Sequence, residues 1–191
     1  MKMTASLTFS LLLLAPAIHA ASPGCAIDKA HSRVTFTVTK WGFAEVEGRF
    51  YDFAGTVLFD EQHPDLSHVD WRVRVDSIKT GAPNRDKALQ GPEYFDAAEF
   101  PELHFISQHV VPLGNGRFDV QGQMTIRGRT RPLTIQATYG GTHTIPQEGT
   151  YSIFQSEFTL DRYDYGVVGG SMLGPAISRE VRVKLIAAAR S

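Results

Sequence analysis

Asp28, His31 and Ser32 lie close together and carry the residue types of an acid, a base and a nucleophile. A hydrolytic triad needs them in a relay, with the base taking the serine proton and the acid orienting the base. Neighbours in one short turn do not supply that relay, and no nucleophile-elbow pattern occurs in the chain. His31 reads better as a residue that steadies a turn begun by Asp28. The other histidines raise the question of a metal. His104 and His109 are five positions apart, so a regular strand turns them to opposite faces. His63 and His68 flank a turn without a third ligand at the usual zinc spacing. Asp161 and Asp164 are acids at a strand end, a placement far commoner in solvent than in catalysis. No catalytic residue, metal ligand or cofactor is assigned. The remaining polar candidates are cations. Lys40, Arg85 and Arg129 are possible partners for a charged or polar headgroup, and otherwise ordinary solvated side chains. The turn carrying Arg127, Arg129 and Arg131 reads as a solvated hairpin tip, with membrane phosphates as the rival use.

The elements that would position these residues are strands. From Arg33 to Thr39, Val34, Phe36 and Val38 point one way, and Arg33, Thr35, Thr37 and Thr39 the other. That period of two marks a strand with one apolar and one wet face. Gly48 to Asp60 reads as one long strand of unclear parity, with Gly55 a candidate bulge. Val69 to Asp76 alternates without a break. Further strands are expected over Leu103–Val110, Phe118–Ile126, Pro132–Tyr139, Tyr151–Leu160 and Arg179–Ala188. Gly114-Asn115-Gly116 and the turn at Arg127-Gly128 link antiparallel neighbours. Gly140 to Gly149 reads as a loop.

One interruption breaks the pattern. Residues 77–101 lose the alternation, and a short helix over Arg85–Leu89 is expected there, capped by Asn84 or Thr80. The aromatics at 94, 95 and 100 need a surface, so this insertion is placed over one end of the sheet as a lid or plug.

The expected fold is therefore mainly β. It is an antiparallel barrel of about eight strands, lipocalin-like in kind, with a short helical insertion. A barrel of that size is filled by side chains or holds one small ligand. The inward set is Phe36, Val38, Trp71, Val73, Phe105, Met124, Ile126, Leu133, Ile135, Phe158 and Leu160. Trp41, Phe95 and Phe100 are expected at one mouth. Parity alone does not separate a dry core from a dry tunnel.

The N-terminus reads as a leader. Lys2 is followed by an apolar run from Leu7 to Ala15 and small residues at Ala17 and Ala20, so residues 1–20 are assigned to a cleaved secretory signal and 21–191 to one domain. The run is short of the ~20 residues a bilayer demands. Cys25 is the only cysteine, so no intrachain disulfide supports the fold. The formal net charge of −1 gives no general attraction to nucleic acid. The leader and the lack of disulfides suggest a bacterial periplasm.

Several short motifs occur together in order. They are Ile27-Asp28 with His31-Ser32 and Val34-Thr35-Phe36, then Gly48-Arg49-Phe50 with Asp52-Phe53-Ala54-Gly55. Ser77-Ile78-Lys79-Thr80, Arg85-Asp86-Lys87-Ala88-Leu89, Phe95-Asp96 and Phe100-Pro101 follow. The hairpin Gly122 to Pro132 and Leu173-Gly174-Pro175-Ala176 complete the set. Together they resemble the YceI-like family of bacterial periplasmic proteins across essentially the whole mature chain. The resemblance implies a barrel with an elongated apolar lumen that binds polyisoprenoid or other long-chain amphiphilic lipid, often as a homodimer. It supplies no catalytic residue. This chain departs from the pattern at two places where the family often has histidine, Lys40 and Ala88. Lys40 puts a full cation there, which suits a phosphate or carboxylate.

With the resemblance added, the expected function is a periplasmic binding or carrier protein for a long-chain isoprenoid, quinone or fatty-acyl lipid, with transient membrane contact and no nucleic-acid partner. Burying ~20 methylenes at ~0.8 kcal/mol each gives roughly 16 kcal/mol gross, against roughly 4–15 kcal/mol of lost freedom. Strands of ~10 residues tilted ~40° span roughly 25 Å, so a longer tail folds back or protrudes. Two alternatives stay open: a lipid-modifying enzyme using the barrel as its pocket, and an envelope-stress interaction protein with a self-filled core.

Overall fold

The computed structural model describes residues 24–171 and 174–191. The leader assignment and Leu173 lie outside the described residues. Eleven strands and one α-helix follow in order: β1 (Cys25–Ile27), β2 (Arg33–Lys40), β3 (Ala44–Phe50), β4 (Phe53–Leu58), β5 (His68–Arg74), β6 (Ile78–Lys79), α1 (Pro83–Gln90), β7 (Glu102–Gly114), β8 (Arg117–Ile126), β9 (Arg129–Ile145), β10 (Gly149–Asp161) and β11 (Glu180–Arg190). All strands join one sheet, in the order β1-β4-β5-β7-β8-β9-β10-β11-β2-β3-β6, and β1 also pairs with β11. That last pairing closes eight strands into a barrel. β2, β3 and β6 extend the wall from the other part of the β11 edge, where Leu185 faces Val34 and Phe36 faces Val183. The expected mainly β, eight-stranded antiparallel barrel is what forms, with three additional strands.

The alternating strands behave as their sequences dictate. Val34, Phe36 and Val38 of β2 face the interior, as do Val181, Val183 and Leu185 of β11. The turns follow local chemistry too. Arg127 and Gly128 both take positive φ, 49° and 67°, and link β8 to β9 by two residues. Paired positive φ gives the tight turn whose twist matches the strands it joins.

Other local readings are corrected. The run 48–60 is two strands, because the chain crosses from one ladder to another at Tyr51-Asp52. There the Tyr51 N–H donates to the Ser77 carbonyl at 3.4 Å and the Arg74 N–H to the Asp52 carbonyl at 2.9 Å. Gly55 makes no bulge, and its pairing with β5 is in unbroken register. A Cβ at Gly55 would lie 2.3 Å from the Asp70 carbonyl oxygen, so glycine is needed for close backbone approach. β9 runs on to Ile145, which replaces most of the expected loop at 140–149 with strand. The helix starts two residues early with Pro83 and no side-chain cap, neither Thr80 nor Asn84 serving. A bulge falls between Ser107 and His109. It resets parity, so His109 shares the outer side with His104 instead of opposing it.

One ladder is incomplete. β9 and β10 pair from Gly149–Ile145 up to Ser156–Ala137 and then part. Beyond that point residues 129–136 pair with β8 alone. The segment after β10 fills the wedge: Tyr165 and Val167 are buried there, and Gly166 accepts a hydrogen bond from Arg127 at 2.7 Å.

Candidate functional site: an apolar lumen with a cationic mouth

The barrel encloses a cavity of about 560 Å³. That volume falls within the ordinary range for small-molecule sites. Phe36, Val38, Trp71, Val73, Phe105, Met124, Ile126, Ile135, Phe158 and Leu160 all line it, with Lys40, Arg85 and Phe95. The lumen is thus open rather than filled by its own side chains. Two pairings of glycine with aromatic residues help to keep it so. A Cβ on Gly48 would sit 2.2 Å from the Phe36 ring, and one on Gly122 2.8 Å from the Phe105 ring. Each ring reaches into the space that a side chain at the glycine would take.

Three expected lining residues lie elsewhere. Trp41 has positive φ, 56°, in the turn between β2 and β3. Its side chain points outward and is 59% exposed. Phe100 packs under the β8–β9 turn, where a Cβ on Gly128 would meet its ring at 2.7 Å. Leu133 packs into the apolar cluster around Phe105 and Ile135 without reaching the lumen.

The far end is closed by aromatic residues that period-two reading did not single out. Phe59 packs edge-on against Phe118 at 5.3 Å and Phe154 at 5.0 Å, and tilted against Tyr139 at 4.8 Å. Edge-to-face contacts of this kind favour a fixed arrangement. These residues come from three strands, β8, β9 and β10, and from the residue that follows β4, so only the assembled sheet brings them together.

The other end is the mouth. The insertion reaches it through Thr80, Arg85, Leu89, Tyr94 and Phe95, all lining the cavity. Asp86 anchors the insertion from inside: it is buried and accepts from the Thr80 N–H at 2.8 Å and the Thr80 hydroxyl at 2.6 Å. Arg85 leaves its neighbour Asp86 alone and donates to the Thr80 hydroxyl and carbonyl, each at 2.7 Å. The Lys40 ammonium lies 4.1 Å from the Trp41 ring centroid.

The residue most clearly missed from sequence is Arg162. It lines the mouth and is only 5% exposed. Its guanidinium donates to five carbonyls, those of Ser178, Val167, Val168, Gly174 and Ile177, at 2.6–2.9 Å. The described residues between β10 and β11 are thereby gathered around one cation. Nothing in the local pattern at Asp161-Arg162-Tyr163 signals this, because the acceptors arrive from residues up to sixteen positions away. Nearby, burial and the Asp164 carboxylate push the Tyr165 phenol above its ordinary pKa.

The remaining polar candidates are used structurally. Ser32 is buried, and its hydroxyl accepts from the Ala188 N–H at 2.9 Å. Asp28 accepts from the N–H groups of Ala30 and His31 at 2.7 and 3.2 Å, which is the turn role expected of this cluster. His104 pairs with Asp70 at 3.0 Å, and no metal-binding cluster occurs among the described residues. Arg127 is not a solvated tip: it donates to Gly166 and Pro92 carbonyls at 2.7 and 2.6 Å, tying the hairpin to the insertion. Arg129 packs against Gly166 and does not line the lumen.

Comparison with known proteins agrees with this architecture. The model of the YceI-like domain matches residues 26–189. A UPF0312 protein of Shewanella sp. (strain ANA-3) is 35% identical over 176 residues, 91% of this chain and 90% of its own. A UPF0312 protein of Pseudomonas savastanoi pv. phaseolicola is 33% identical over 145 residues, 75% of this chain and 76% of its own. Among solved structures, Burkholderia cenocepacia BcnA superposes with a TM-score of 0.78 at 24% identity, covering 85% of this chain and 99% of BcnA. A polyisoprenoid binding domain from Saccharophagus degradans superposes with a TM-score of 0.67 at 14% identity, covering 88% and 98%. At these identities the structural likenesses speak to fold. The family match spans nearly the whole described barrel, and this chain belongs to the YceI-like family.

Proposed function

We propose that this protein is a periplasmic binding or carrier protein that holds the tail of a long-chain amphiphile, of polyisoprenoid or fatty-acyl type, in its barrel lumen. The observation that carries the reading is the open cavity of about 560 Å³ walled almost wholly by apolar side chains. An apolar tail leaving water for such a wall gains roughly 0.8 kcal/mol per methylene. The lumen has one aromatic floor and one polar mouth, which orients an amphiphile tail-first. The Saccharophagus domain, named for polyisoprenoid binding, shares the fold. The leader reading supports a periplasmic address.

Transient contact with a membrane fits the outer face of the mouth. Trp41 and Phe43 stand exposed on the turn between β2 and β3, at 59% and 79%, beside Lys40. A cation flanked by exposed aromatics suits a headgroup region. Light scattering of the purified protein tests the homodimer that the family resemblance implies. Organic extraction of that protein, with identification of whatever lipid is released, tests the binding function itself.

A further inference from the structure

We infer that the barrel selects amphiphiles with an anionic headgroup, seated at the mouth against Lys40 and Arg85 within the field of Arg162. The inference rests on the proposed binding of a tail in the lumen and adds what the mouth requires of the head.

Among the described residues three charged side chains line the cavity, Lys40, Arg85 and Arg162, all cations, and no aspartate or glutamate does. The three belong to one end. The Trp41 N–H donates to the Ala176 carbonyl at 2.7 Å, and Lys40 bridges Ile177. Arg162 holds the Ile177 carbonyl from the other side at 2.9 Å. The segment carrying Val168 and Gly169, which Arg162 also grips, is joined to the insertion by the Gly169 N–H donating to the Glu93 carbonyl at 3.0 Å. Arg85 rides on the helix of that insertion.

Nearby carboxylates are engaged elsewhere or lie outside the lining. Asp86 is committed to Thr80. Asp161 pairs with Arg179 at 2.6 Å. The Glu93 carboxylate lies against Gly170, outside the lining. No ion pair among the described residues involves Lys40, Arg85 or Arg162.

The three cations have different work. Arg162 has every donor position occupied by carbonyls, so it contributes charge without contact. Its burial keeps that charge poorly screened. Lys40 has an ammonium with only a ring beside it. Arg85 spends Nε and Nη2 on Thr80 and keeps Nη1. These two supply the donors. A neutral alcohol would gain little from such a mouth. A carboxylate or phosphate monoester would gain charge-assisted hydrogen bonds in a site walled by hydrocarbon.

Equilibrium binding of radiolabelled palmitate, hexadecyl phosphate and hexadecanol to the purified protein tests this, because the three share one tail length. Palmitate and hexadecyl phosphate are each expected to bind at least about tenfold tighter than hexadecanol, the factor that ~1.4 kcal/mol represents. Their order relative to each other separates a carboxylate site from a phosphate site, and either order supports the inference. In Lys40→Gln/Arg85→Gln the anion-to-alcohol ratio should fall below about threefold, with Lys40→Arg retaining it. Equal affinity for alcohol and anions in the unaltered protein would overturn the anionic selection while leaving the lumen reading intact. An unchanged ratio in the folded double variant would overturn the assignment of these two residues. Binding of none of the three would overturn both readings.

Discussion

Arg162 donates through Nη1 to the Val167 carbonyl at 2.6 Å and through Nη2 to the Gly174 carbonyl at 2.7 Å, so one buried guanidinium joins both arms of the segment between β10 and β11. Buried carbonyls left without donors cost about 1–3 kcal/mol each. Arg162→Met should therefore lower stability by at least about 3 kcal/mol in urea denaturation. Arg162→Lys keeps the charge but has three donors in place of five, so it should recover only part of the loss. A stability change under about 1 kcal/mol in Arg162→Met would show that the segment holds its shape without the cation.

Gly48 makes the prediction for lumen volume. A side chain there collides with the Phe36 ring, and the ring's free side is the cavity. Gly48→Val should push Phe36 inward and reduce lipid retained per molecule, at a cost of about 1–3 kcal/mol in stability. Full retention in the folded variant would mean that the ring moves elsewhere.

Asp161 sets a pH dependence. Burial pushes its carboxyl up, but the Arg179 hydrogen bond and the Tyr163 N–H outweigh burial and hold its pKa below the usual carboxylate value. A group depressed in the folded state stabilises above its unfolded pKa of about 3.9 and loses that contribution as pH falls through its folded value. Asp161→Asn should therefore be less stable than the parent at pH 7, with the gap closing as the pH is taken below about 4. A gap that persists undiminished in acid would point to packing rather than charge.

Phe43 reports on the membrane. Phe43→Ser removes an exposed ring without touching the lumen. Flotation with anionic vesicles should recover clearly less of this variant than of the parent. Equal recovery would place membrane contact on another face.

The barrel wall was legible in the sequence wherever a strand alternates cleanly, as β2, β5 and β11 do, because period two follows from backbone geometry alone. The inward set read from that parity lines the cavity except for Leu133. What escaped it depends on relations between segments. The bulge between Ser107 and His109 shows only against β8. The aromatic floor of Phe59, Phe118, Tyr139 and Phe154 exists only once the end of β4 meets β8, β9 and β10. Phe100 and Trp41 carry the right residue type for a mouth, yet one is drawn under the Gly128 turn and the other is turned out by a positive φ. Arg162 was not singled out because its five acceptors are backbone groups, which sequence does not distinguish.

A long-chain lipid held in the lumen is detectable by native mass spectrometry of residues 21–191 with extraction of the released molecule. The expected result is a stoichiometric long-chain amphiphile on the parent protein and none on folded Ile126→Glu, whose carboxylate would enter the lumen. An apo mass that persists after prenyl and fatty-acyl candidates are added, or unchanged lipid on folded Ile126→Glu, would contradict it.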